Sequence, residues 1–103
     1  KEHALMLLLN RANDVMGYFK IAEGGIAATI MDVRIIMSAA LNVLATSIIV
    51  CHNHPSGSLK PSEPDKNITQ NIKEAGKVMD ISVLDHVIIT TDGYFSFADE
   101  GIL

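Results

Sequence analysis

Six consecutive apolar residues, Ala4 to Leu9, limit what this chain can become. A strand with one wet face alternates apolar and polar positions, whereas an unbroken short run is the pattern of a strand buried on both faces. A membrane helix needs roughly 18 apolar residues or more, and no run here reaches that length. Such a strand must be flanked by other strands and covered by amphipathic layers.

The rest of the chain supplies those layers. Asn10 to Asp14 is a polar break with turn residues, and Val15–Ala22 reads as a hairpin partner ending at Glu23-Gly24-Gly25. Asp32 suits an N-cap, and Val33, Ile36, Met37, Ala40, Leu41 and Leu44 then recur at helical spacing. Thr46–Cys51 is a third buried strand. Ser62-Glu63-Pro64-Asp65 opens a second helix, with Ile68, Ile72, Ala75 and Met79 on its dry side and Lys66, Gln70, Lys73 and Lys77 on its wet side. Gly76 in that helix costs about 1 kcal/mol relative to alanine, which points to close packing. Ile81–Thr90 is a fourth strand, Asp92-Gly93 a hairpin turn and Tyr94–Ala98 the returning strand. The order β-β-α-β-α-β-β predicts an α/β domain, a mixed central sheet flanked by helices in three layers.

With 103 residues, 49% of them hydrophobic, the chain suits one domain with a real core. Eight Lys and Arg against twelve Asp and Glu give a formal net charge of −4, and the basic residues are scattered. That disfavours duplex binding, which needs a basic face. One cysteine excludes an internal disulfide and fits a reducing, cytoplasmic setting. A start at Lys1, directly ahead of a strand, leads us to expect residues 1–103 to be the C-terminal fragment of a longer protein. The apolar fraction fits surface vacated by an N-terminal region or by a second subunit.

Chemistry concentrates between His52 and Asp65. His52 and His54 lie two apart at a strand end, so both imidazoles face one side where the strand opens into a Pro/Gly loop. Ligands favour the carboxyl ends of strands in open α/β sheets. Asp65 follows on a loop long enough to fold back. Two histidines and a carboxylate form a three-ligand set for catalytic zinc, with the fourth position left to water. Hydrolysis also needs a group that moves protons. Glu23, at a strand end beside two glycines, is the candidate. The Ser62 hydroxyl could donate to an oxyanion.

Plainer readings stand beside these. His-x-His occurs in metal-free loops. Ser62-x-x-Asp65 is close to a capping box, and Asp65 cannot easily give one oxygen to both a backbone N–H and a metal. Glu23 also reads as a surface carboxylate. Cys51 should point away from His52, as a buried thiol. His86, inside an apolar strand beside Asp85, reads as a core histidine or one that supports a ligand. Lys60 reads as solvated, or as a contact for substrate carboxylates. His3 carries no signal. The letters His52-Asn53-His54 spell the name of a nuclease motif whose residues are in fact dispersed along a ββα hairpin.

His52-x-His54-x7-Ser62-x2-Asp65 resembles the motif of the JAMM, or MPN+, metallopeptidases. The wider string His52-Asn53-His54-Pro55-Ser56-Gly57, then Pro61-Ser62, Asp65 and Asp85-His86, resembles the RadC branch, and the likeness runs from Leu7 to Leu103. It implies a JAB/MPN, cytidine-deaminase-like α/β fold around one Zn²⁺ per chain. His52, His54 and Asp65 would be the metal ligands, Glu23 the general acid/base and Ser62 the oxyanion helper. Better understood members of the family cleave isopeptide bonds to ubiquitin-like modifiers, while RadC-like proteins carry a DNA-repair label and usually a helical N-terminal region. The leading expectation is a zinc-dependent hydrolase of a peptide or isopeptide bond, with a protein or peptide as substrate. The alternatives are a non-catalytic protein-binding module and, more weakly, a nuclease.

Overall fold

The computed structural model describes residues 1–25 and 31–103. Five strands, β1 (His3–Leu9), β2 (Val15–Glu23), β3 (Ser47–Asn53), β4 (Ser82–Thr90) and β5 (Gly93–Ser96), form one mixed sheet. Helix α1 (Val33–Asn42) follows β2, and α2 (Glu63–Met79) links β3 to β4. The strand order is β2-β1-β3-β4-β5. This is the α/β architecture the pattern predicts, in the element order it predicts.

The apolar run of β1 is explained by its place. It pairs antiparallel with β2 on one side and with β3 on the other. Ala4, Met6 and Leu8 are buried with Ile48 and Val50 of β3 against Ile36, Met37 and Ala40 of α1 and Ile68 and Ile72 of α2. Leu5 and Leu7, on the opposite face, are half-buried. Full burial of one such side chain contributes about 1.5–3 kcal/mol, so this cluster is the main source of stability. β3 and β4 run parallel. Parallel neighbours need a long crossover, and α2 provides it.

Asp32 caps α1 by accepting the Arg34 N–H at 2.9 Å. Three expectations need correction. The α1 stripe is shorter than the periodicity implies, since the helix stops at Asn42, and Leu41 and Leu44 are exposed. Leu44 turns the chain with φ +54°. The left-handed region costs a side-chain-bearing residue about 1–2 kcal/mol. Because Leu44 is 79% exposed, Leu44→Gly relieves that strain with little loss of packing. It should stabilise the domain by about 0.5–1 kcal/mol, read as a higher urea midpoint. Next, the β4–β5 turn is centred on Thr91 and Asp92, because Thr90 pairs with Gly93. Last, β5 ends at Ser96 rather than Ala98. Phe97 continues past it, fully buried, with its N–H on the His86 carbonyl at 3.0 Å.

Gly76 meets the expectation of close packing. A Cβ there would lie 2.3 Å from the Ile81 carbonyl oxygen, where the chain doubles back from α2 into β4. Asp80 makes the reversal at φ +59°, and the Ile81 N–H returns to the Gly76 carbonyl at 2.8 Å.

Candidate metal centre

The site forms where β3 leaves the sheet. His52 is still in the strand, level with Ala4 of β1 and Ile88 of β4. One residue beyond β3, the His54 N–H donates to the Ile89 carbonyl at 3.0 Å, so the second imidazole is fixed by β4. Gly57, with φ +85°, turns the loop and returns its N–H to the His54 carbonyl. The chain then enters α2 through a capping box. The Ser62 N–H donates to Asp65 Oδ2 at 2.8 Å, and the Asp65 N–H donates to Ser62 Oγ at 3.1 Å.

The two roles open to Asp65 are divided between its oxygens. Oδ2 takes the cap and lies 3.2 Å from His54 Nε2, while Oδ1 lies 3.2 Å from His52 Nε2. The two Nε2 atoms are 2.9 Å apart. A metal with bonds of about 2.05 Å in tetrahedral geometry holds its ligands about 3.3 Å apart, close to the His52–His54 and His52–Asp65 separations. The donor types fit as well. His54 Nδ1 lies 2.8 Å from the Ser58 carbonyl, which can only accept, so Nδ1 carries the proton and Nε2 keeps its lone pair toward the centre. Burial alone would raise the Asp65 acid. The adjacent His52 imidazole and the Ser62 backbone N–H outweigh that effect and hold it below the usual carboxylate range. The positive end of α2 adds to the stabilisation of the anion. His52, His54 and Asp65 therefore form a group that could hold a metal ion.

A cleft of about 570 Å³ opens over this group, lined among others by Lys1, Glu2, His54, Lys60, Ser62 and Asp65. Ser62 is exposed there; its oxygen accepts from Asp65, which leaves its own O–H free to donate. Lys60 is solvated at the rim, where it could meet an anionic group. A larger groove of about 1170 Å³ runs along α1 and α2. It is largely apolar, and its charged groups, Asp32 and Arg34, pair with each other.

Two carboxylates lie at this end of the sheet. Glu23 pairs in register with His3, one residue out of phase with the Ala4–His52 pair, so it belongs to the opposite face from His52. There it is exposed and engaged by Lys20, Lys1 and His3. The Lys20 hydrogen bond, with the Lys1 charge second, lowers its pKa and makes it a weaker base. Glu23 is thus not brought together with the His-His-Asp group. Glu2 lies two residues before Ala4, in phase with His52, and lines the cleft. Asn53 holds the backbone on both sides of it. Its Oδ1 accepts the His3 N–H at 2.5 Å and its Nδ2 donates to the Lys1 carbonyl at 3.1 Å. Sequence reasoning misses Glu2 because its placement depends on the β1–β3 register, which is a long-range pairing.

Cys51 faces away from His52, as alternation requires, and is half-buried; burial, then the Asp85 charge, pushes its thiol up. His86 is fully buried, stacked on Phe97 with ring centroids 4.6 Å apart. It touches His52 and lies outside the ligand triangle. Burial, then the neighbouring His52, pushes its pKa down to about 3, so it is neutral.

Comparison with known proteins agrees with this architecture. The family described as RadC-like JAB domain matches residues 1–102. Among curated proteins, a UPF0758 protein of Flavobacterium johnsoniae is 50% identical over 101 residues, covering 98% of this chain and 44% of the relative. A UPF0758 protein of Porphyromonas gingivalis is 44% identical over 104 residues, covering 100% of this chain and 46% of the relative. The chain spans less than half the length of these relatives. Among the described residues, no helix is long and apolar enough to cross a membrane.

Proposed function

The chain belongs to the RadC-like JAB domain family, and from that membership and the cleft geometry we propose that it is a zinc-dependent hydrolase of peptide or isopeptide bonds. The observation that carries the reading is the convergence of His52, His54 and Asp65 beneath a cleft that also presents Glu2 and Ser62. Zinc bound there would acidify a water molecule and polarise the substrate carbonyl. Glu2 would take the proton from the attacking water and return it to the departing nitrogen. Ser62 would donate its hydroxyl to the developing oxyanion. Lys60 at the rim would favour substrates with acidic residues near the scissile bond. The scattered positive charge gives no support to a nuclease.

The test is turnover of peptide and isopeptide substrates by zinc-loaded protein, with and without a chelator. Glu2→Gln should lower kcat by about 10²–10⁴-fold at unchanged zinc content. Glu23→Gln should leave kcat within a few fold. Loss of turnover in Glu23→Gln alone would return the proton-carrying role to Glu23. Full zinc occupancy with no hydrolysis of any substrate would favour the protein-binding module.

A further inference from the structure

Behind the ligands runs a buried chain of polar groups that the proposed reaction does not use. His52 Nδ1 lies 2.8 Å from His86 Nε2, His86 Nδ1 lies 2.5 Å from Thr69 Oγ1, and Thr69 Oγ1 donates to the Asp65 carbonyl at 2.7 Å. His52, His86, Thr69 and Asp65 are all buried. The chain starts at one ligand residue and ends at another.

Its polarity follows from its far end. A backbone carbonyl can only accept, so the single Thr69 proton is directed to Asp65. Thr69 Oγ1 must then accept from His86, which puts the His86 proton on Nδ1. A neutral imidazole carries only one ring proton, so His86 Nε2 is an acceptor. His52 must meet it with Nδ1–H, and the His52 lone pair is left on Nε2, the atom that faces His54 and Asp65. Of the two tautomers open to His52, only the one that can bind a metal from this position satisfies every group in the chain. Loss of any link would leave a buried donor or acceptor unpaired.

We infer that His86 and Thr69 are positioning residues for the metal centre: they fix the tautomer and ring plane of His52 and tie its setting to the first turn of α2, where Asp65 sits. The inference rests on the metal-site reading above. Stacking on Phe97 holds the His86 ring plane, and the Phe97 N–H on the His86 carbonyl holds its backbone. Three hydrogen bonds therefore link the first turn of α2 to the His52 ring.

Zinc affinity measured by chelator competition separates the outcomes. His86→Phe, which keeps the stacking and removes the acceptor, should weaken zinc about 10–100-fold. His86→Gln, which restores an acceptor opposite His52, should recover most of that loss. Thr69→Val, close in shape and safer for folding, should weaken binding in the same direction. Affinities within threefold of the parent for both His86→Phe and Thr69→Val would overturn the inference. So would a loss in His86→Phe that His86→Gln does not recover, since packing alone would then account for it. Nitrogen-15 spectra of the unsubstituted, metal-free protein give a second readout: the chain requires a proton on His52 Nδ1, and an unprotonated Nδ1 overturns it. Failure of the unsubstituted protein to take up zinc would instead overturn the metal-site reading, and is recognised before any variant is made.

Discussion

Asp65→Asn should abolish zinc binding and leave the domain folded, while Asp65→Ala should damage both. The carboxylate closes the first turn of α2 through Oδ2 and faces His52 through Oδ1. Asparagine can still accept the Ser62 N–H with its one carbonyl oxygen. It then presents an uncharged amide to the imidazoles, so zinc content should fall from about one per chain to none measurable. Alanine also removes the reciprocal half of the capping box and leaves the Ser62 N–H without its acceptor. The loss should be about 1–3 kcal/mol, or roughly 5–20 °C in Tm for a domain of this size. Elemental analysis after gel filtration and a thermal scan read the two effects separately. Stoichiometric zinc in Asp65→Asn would remove Asp65 from the ligand set.

Gly76→Ala should destabilise the fold by about 2 kcal/mol, although helix propensity alone predicts a gain of about 1 kcal/mol. The sign is decided by space. The added methyl would stand 2.3 Å from the Ile81 carbonyl oxygen, a backbone atom in the tight return from α2 into β4. Ile81 is itself held by its N–H on Gly76, so relief would require moving the start of β4. That strand carries His86, so the variant should also weaken zinc. Urea denaturation with an unchanged slope and a lower midpoint is the expected record. A midpoint at or above that of the parent would show that the crossing can relax.

Much of this was legible in the chain because the signals are local. The β1 run, the Asp32 cap, the α2 stripe and the His52-x-His54 spacing each depend on neighbours within a few residues. Gly76 could be read too, since a glycine inside a strong helix pattern needs a packing reason. What sequence reading gets wrong is set by distant partners. Leu44 fits the helical period, but the helix stops before it and the turn exposes it. Glu23 and Glu2 look alike as strand-end carboxylates. Only the pairing of Ala4 with His52 and of His3 with Glu23 separates their faces, and both pairings join segments far apart in the chain. The role of Asn53 in bracketing Glu2 is hidden for the same reason, as is the Thr69–His86 link between α2 and β4.

The stretch from Pro55 to Lys60 is exposed throughout, while the ligands at its two ends are anchored by β3 and by the start of α2. Apart from the Ser58 carbonyl on His54, the grip on an ion does not depend on the path between those anchors. Doubling the length of a flexible loop costs only about 0.6 kcal/mol. Insertions and exchanges between Pro55 and Lys60 can therefore reshape one wall of the cleft while the ligand triangle keeps its dimensions. In this scaffold, selectivity can diverge among descendants separately from reactivity.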